Sequence, residues 1–263
     1  MADLFAFGSA LNPLDAEGRY GAAGDLKKTQ YVMQLLGFPG DPDTLKCLII
    51  AAEKGIEVES GVLDISRGAE RSDDYLAISP NGVVPALKEA LYQVVGDLAI
   101  ISFIEGRGLG NRMPPRNAQV LAEQDYWVDI ARTVVGPQVR AIVQEKVVKD
   151  MADDAAQPNQ AAVDAARAAL APALDALDAR LAPGRFIVGE YSYADVHWTA
   201  CVHLLMVAGQ GDLIERRANL RAWFGRIRQH KSFCGQNLVA YDLLPSLEDI
   251  KALRMKGVVI TDF

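Results

Sequence analysis

Hydrophobic and polar positions follow two textures along this chain. Up to about residue 105 the apolar runs are short and broken by turns, whereas beyond about residue 115 they recur at helical spacing. Leu4–Phe7 reads as a short strand ended by Gly8. Val32, Leu35 and Leu36 suit a short helix over 26–38, stopped by Pro39-Gly40. A stronger helix follows over 44–54. Leu45, Leu48, Ile49 and Ala52 mark its apolar face, Asp43 or Thr44 can cap it, and Gly55 ends it. Residues 56–64 alternate in part and read as a strand, 83–89 and 92–95 as a hairpin, and 97–105 as a helix.

The second half is helical. A long helix begins near Asn117, carries Tyr126 and Trp127, and is expected to break at Gly136-Pro137. Leu170, Leu174, Leu177 and Leu181 put one packing face on the alanine-rich stretch 160–181, in which Pro172 is a candidate kink. Further helices are expected from Ser192 and over 220–229. Between the halves, residues 105–115 hold three glycines and two prolines, which is linker composition. The expected domains are 1–105, 116–240 and a C-terminal extension, 241–263. The element order β-α-β-(α)-β-β-α makes the first a thioredoxin-like α+β unit, and the second is all-α.

Composition narrows the class. The net charge is −7, so the chain is a poor general binder of nucleic acid, with the stretch 216–231 as one candidate for a local basic patch. The cysteines, Cys47, Cys201 and Cys234, match no metal-ligand spacing, and an odd number argues against a disulfide framework and for a reducing compartment. The N-terminus is not built as a secretory signal, and no run reaches the ~20 apolar residues of a membrane span.

Two motifs carry the chemistry. In Ser79-Pro80-Asn81-Gly82-Val83-Val84-Pro85-Ala86-Leu87, a turn precedes a proline at the start of a strand. A cis Val84–Pro85 bond would turn the Val84 backbone outward to pair with an extended peptide, and an ordinary edge-strand proline fits the residues equally well. In the stretch from Phe186 to Val196, Ser192 and Asp195 have the N-cap and N3 spacing of a capping box, with Tyr191 and Val196 as a hydrophobic staple.

Together these motifs resemble the glutathione transferase superfamily. Its N-P-x-G-x-V-P-x-L pattern matches 79–87, its F-L-x-G-x-x-x-S-x-A-D-V segment matches the stretch at 186–196, and its W-x-x-R-I helix matches Trp223 to Ile227. The resemblance implies a thioredoxin-like N-terminal domain with an all-helical C-terminal domain, glutathione as cosubstrate, Val84, Pro85 and Asp97 at the glutathione site, and a homodimer in the cytoplasm. It departs at Gly96-Asp97, where the family has Glu-Ser. An ionised aspartate only accepts hydrogen bonds, so Asp97 suits the γ-glutamyl ammonium rather than the carboxylate. The capping box serves folding alone.

Family members place a Tyr, Ser or Cys between the first strand and the first helix, where it lowers the thiol pKa. With Leu4–Phe7 as that strand, about 35 residues precede Thr44, an insertion over 9–43. Ser9 and Asn12 then become the candidate catalytic residues, with Thr44, Tyr20 and Tyr31 behind them. Cys47 reads as a buried small hydrophobe. Tyr126, Trp127 and Arg132 are candidates for an apolar second-substrate site or for interdomain core. The implied activity is glutathione transfer to a small apolar electrophile, and the alternative is a non-catalytic scaffold or subunit.

Overall fold

The computed structural model describes residues 33–107, 112–152, 156–182, 184–230 and 245–253. The N-terminal unit runs β1 (Met33–Gly37), α1 (Pro42–Glu53), β2 (Val58–Val62), α2 (Asp73–Ile78), β3 (Ala86–Glu89), β4 (Tyr92–Val95) and α3 (Asp97–Gly106). The sheet order is β2-β1-β3-β4. β1 is parallel to β2 and antiparallel to β3, and β3 is antiparallel to β4. This is the thioredoxin-like arrangement expected from the element order.

The strand that feeds α1 is Met33–Gly37, and this corrects two expectations. Residues 33–37 form a strand rather than the end of a helix, and only the four residues 38–41 lie between it and α1, so no long insertion separates them. Leu4–Phe7, Ser9, Asn12, Tyr20 and Tyr31 lie outside the described residues. The helical reading of Leu35-Leu36 has a physical cause. β1 is central and buried on both faces, so it lacks period-two alternation. Met33 and Leu35 join the main core under α1 and α3, while Leu36 packs with Leu63, Tyr75 and Ala86 beneath α2.

The C-terminal unit comprises α4 (Ala118–Asp129), α5 (Gly136–Val143), α6 (Lys149–Met151), α7 (Gln160–Leu181), α8 (Tyr193–Val207), α9 (Asp212–Glu215), α10 (Ala218–Ile227) and α11 (Leu247–Leu253). From α4 to α6 the helix is continuous, with wider π-type turns over Ile130–Val135 and Gln144–Val148. Gly136-Pro137 therefore does not break it: the wider turn closes with the Gly136 N–H on the Ala131 carbonyl, and Pro137 falls in the first turn of α5. α7 likewise runs through Pro172, with Leu170, Leu174, Leu177 and Leu181 buried on one face. α11, in the C-terminal extension, buries Ile250, and His203 meets the Pro245 carbonyl at 3.0 Å. Much of the basic stretch is spent internally: Arg217 pairs with Asp175, Arg221 with Glu215, and Arg226 donates to the Arg185 carbonyl.

The two units share one core. α1 packs on α8, so α1 is buried almost all round. Trp198 on α8 donates to the Trp127 carbonyl at 3.0 Å, and Tyr193 donates to Glu105 of α3 at 2.6 Å. This seam places the start of α1 against the helical domain.

A candidate active site at the interdomain seam

The site grows from the start of α1. Asp41 is its N-cap and Pro42 its first helical residue, a pairing that satisfies orphan N–H groups and needs none from the proline. The Asp41 Oδ2 accepts from the Asp43 and Thr44 N–H groups at 2.9 and 3.0 Å. The Thr44 hydroxyl accepts from the Phe38 N–H at 3.2 Å. It lies so close to β1 that a Cβ on Gly37 would sit 2.6 Å from the Thr44 side chain, so only glycine fits there. The capping residue is thus Asp41 rather than Asp43 or Thr44, and the Asp-Pro pair was the sequence signal for it.

Around this cap three acids meet three bases. Lys46 lies 2.6 Å from Asp43 and 2.8 Å from Asp97. Arg132, from the π turn after α4, lies 3.4 Å from the same Asp97 oxygen. Arg140 of α5 reaches Asp41 at 2.8 Å and also binds Asp43. Lys46 is only 2% exposed, so its charge survives by pairing. Burial opposes that charge, but Asp43 and Asp97 outweigh burial and hold its pKa above the ordinary lysine value. Burial likewise pushes Asp97 up, and Lys46 with Arg132 more than reverses it, leaving its carboxyl below the ordinary range. Asp41 goes the other way: burial raises it, against the pull of Arg140.

The Val84–Pro85 bond is cis. The Val84 N–H and C=O make no hydrogen bond among the described residues, whereas the neighbouring Val83 carbonyl accepts from the Tyr75 and Ser79 hydroxyls at 2.7 and 3.0 Å. The Pro85 carbonyl accepts from the Gly96 N–H at 2.9 Å. That bond sets the free edge of Val84 beside Gly96, the N-cap of α3, and Asp97, its first residue. Val84, Pro85 and Asp97 are therefore neighbours, as the motif spacing required, and Asp97 ties them through Lys46 to the start of α1. Sequence reasoning did not identify Asp41, Lys46 or Arg140, whose partners lie far along the chain.

The other candidates separate. Cys47 and Cys201 are buried, and burial pushes the Cys201 thiol up to about 12 and the Cys47 thiol well above its ordinary value. Neither is a ready nucleophile. Trp127 is core, Tyr126 is exposed and Arg132 joins the ion cluster, so these three do not line one site. His197 of α8 sits behind the cluster, its Nδ1 2.8 Å from the Tyr193 carbonyl and its Nε2 without a partner among the described residues. Burial, aided by Lys46, lowers its pKa to about 3, so it is neutral. A cavity of about 560 Å³ lined by Arg112, Arg116, Val120, Val188 and Tyr191 shares no lining residue with the cluster.

The capping box on α8 is formed as the sequence required. Asp195 accepts from the Ser192 N–H at 3.0 Å, the Ser192 hydroxyl at 3.2 Å, the Ile187 N–H at 3.1 Å and the Trp223 indole at 2.8 Å.

Comparison with known proteins agrees with this geometry. The family model described as glutathione S-transferase, N-terminal domain, matches residues 31–105, and that of the C-terminal domain matches 160–226. The first match begins just before β1, which again makes Met33–Gly37 the first strand of the fold. The chain is 26% identical over 222 residues to glutathione S-transferase 3 of Zea mays, covering 81% of this chain and 96% of that one. It is 25% identical over 186 residues to glutathione S-transferase F10 of Arabidopsis thaliana, covering 69% and 86%. Among solved structures, glutathione transferase F7 from Populus trichocarpa superposes with a TM-score of 0.68 at 26% identity, over 77% of this chain and 96% of that one. With both family domains matched in order on a thioredoxin-like sheet and a helical partner domain, the chain belongs to the glutathione transferase superfamily.

Proposed function

We propose that this protein joins the sulfur of glutathione to a small apolar electrophile, with glutathione held along the Val84 edge. The observation that carries the placement is the unpaired Val84 backbone beside the N-terminus of α3. An extended peptide gains two main-chain hydrogen bonds there, as in strand addition to a sheet edge. Val84 pairs with the cysteinyl backbone, and Pro85, which precedes β3 and has no N–H, leaves that edge to the ligand. Asp97 receives the γ-glutamyl ammonium, while Arg132, which shares the Asp97 carboxylate and is one-third exposed, faces the γ-glutamyl carboxylate. Family membership supports a homodimer in the cytoplasm, and no described helix is long and apolar enough to cross a membrane.

Calorimetric titration with millimolar glutathione, followed by conjugation of a panel of small aryl halides and activated alkenes, tests the reading. Saturable binding and thioether formation are expected, with binding weakened at least tenfold in Arg132→Ala. A folded chain that does not bind glutathione overturns it. At the start of α1 the Thr44 hydroxyl is engaged with Phe38 and Asp41 and is not free to face a thiolate, which favours a second reading as a non-catalytic scaffold. Binding without turnover of any panel member would establish that second reading.

A further inference from the structure

We infer that the protein carries a second ligand site, at the far end of the interdomain seam from the Val84 edge, and that it takes a small aromatic carboxylic acid. The inference does not depend on the glutathione reading above.

The first observation is place. The ion cluster and the Val84 edge gather where α1 and α3 begin, whereas the cavity lies where those helices end. Lys54, the C-cap of α1, pairs with Glu105 near the end of α3 at 2.6 Å, and Glu105 accepts from Tyr193 at 2.6 Å. Tyr191 and Ser192, just before Tyr193, are cavity wall. α1 has 12 residues, so a helix length of about 18 Å separates the two ends. The cavity is thus a site of its own rather than a pocket beside the Val84 edge. Its volume of about 560 Å³ suits a small organic molecule.

The second is charge. Arg112 and Arg116 line the cavity from the connection between the two units. The Arg112 Nε donates to the Pro114 carbonyl at 3.2 Å, and neither guanidinium meets a carboxylate among the described residues. The neighbouring acids are spent elsewhere. Glu123, on the turn of α4 after Val120, binds Arg180 at 2.7 Å, and Glu105 holds Lys54 and Tyr193. Glu190 is the acid among the lining residues, so two cations face one anion and the wall has one net positive charge. The start of α4 adds to it, because the N-cap Asn117 is also wall and the helix dipole is positive at that end.

The third is shape. The Tyr191 ring is held in place, stacked on His230 with centroids 4.0 Å apart and meeting Phe186 edge-on at 5.5 Å. Its hydroxyl is buried and bonds to nothing among the described residues. Val120, Val188 and the buried Met113 complete the apolar surface. Pro114 and Pro115 stiffen the arm that carries the two arginines. A flat apolar wall suits an aromatic ring, and a guanidinium pairs bidentately with a carboxylate. One net positive charge calls for a single anionic head.

The test is equilibrium binding of 2-naphthoate to the full chain, followed by its fluorescence, with naphthalene-2-carboxamide as the neutral analogue of the same shape. Naphthoate should bind at one molecule per chain, and the carboxamide at least about tenfold more weakly, the scale of a lost charge-assisted pair. The double replacement Arg112→Gln with Arg116→Gln should weaken naphthoate by at least about tenfold and move the carboxamide by less than about twofold. Both side chains are exposed, so the fold should persist, which thermal unfolding checks. Val120→Trp fills the cavity from its apolar side and should abolish binding of both compounds. Saturating S-hexylglutathione, which covers the Val84 edge and any pocket beside it, should leave naphthoate affinity within about twofold, as for uncoupled sites. The inference is overturned by no naphthoate binding at millimolar concentration, by equal binding of acid and amide, by a folded double variant with wild-type affinity, or by displacement with S-hexylglutathione. A chain that binds naphthoate but not glutathione sinks the conjugation reading and leaves this site standing.

Discussion

Asp195 and Asp97 are both buried carboxylates in the first turn of a helix, and they are satisfied in opposite ways. Asp195 accepts four hydrogen bonds, all from neutral donors. Asp97 is held by two cations, Lys46 and Arg132. Burial pushes Asp195 up to about 6 in spite of its donors, whereas the cations carry Asp97 below the ordinary value. Neutral donors fix geometry but only partly offset the loss of water around a charge; opposite charges offset it fully. The first arrangement is a closed structural joint inside one domain. The second lies at a seam between domains, with Arg132 one-third exposed and able to share its charge with a ligand.

The sharpest way to break the comparison is Asp195→Ala. It strips the partners from the buried Ile187 N–H, Ser192 N–H and Trp223 indole, and should cost about 4 kcal/mol in urea unfolding, since each orphaned buried donor costs about 1–3 kcal/mol. Glutathione affinity of the folded fraction should stay within twofold. Next is Lys46→Met, which should turn Asp97 into a group like Asp195. Stability at pH 7 should fall by about 3 kcal/mol, the scale for breaking a buried pair. The pH dependence should also reverse. In wild type the folded pKa of Asp97 is lowered, so its contribution is present above the ordinary carboxylate range and is lost as pH falls below it. In Lys46→Met the carboxyl carbon of Asp97 should titrate above that range by NMR.

His197 lies between the two regions, and its effect is smaller. Its folded pKa is depressed to about 3 from 6.5, so the folded state binds fewer protons than the unfolded state between those values. Its contribution is complete above about pH 6.5 and should shrink by about 2 kcal/mol on acidification to pH 5. His197→Gln should flatten that slope in unfolding measured from pH 7 to pH 5, and an unchanged slope would place the titrating group elsewhere. The smallest effect is expected for Tyr193→Phe. It removes the 2.6 Å bond to Glu105 across the seam and should cost about 1 kcal/mol by thermal unfolding, while Lys54 keeps Glu105 paired.

What could be read from the sequence follows from how far apart the partners are. The capping box was legible because Ser192 and Asp195 are three residues apart and need only their own helix. The Val84-Pro85 edge and the α3 start at Asp97 were legible because turn and strand signals lie within one short window. β1 was not. A central strand buried on both faces shows no alternation, and Leu35-Leu36 imitates a helix face, which leaves Leu4–Phe7 as the apparent first strand and Ser9 and Asn12 as the first polar side chains after it. The ion cluster was equally hidden, because Lys46–Asp97, Arg132–Asp97 and Arg140–Asp41 span 51, 35 and 99 residues. By itself the sequence determined the helices with strong caps, the hairpin, the two-domain division and the family, because these rest on local backbone preferences and short motifs. Only the tertiary structure decided which apolar run feeds α1 and which charges meet at its start, because both depend on packing α1 against α8 and on the cost of burying an unpaired charge there.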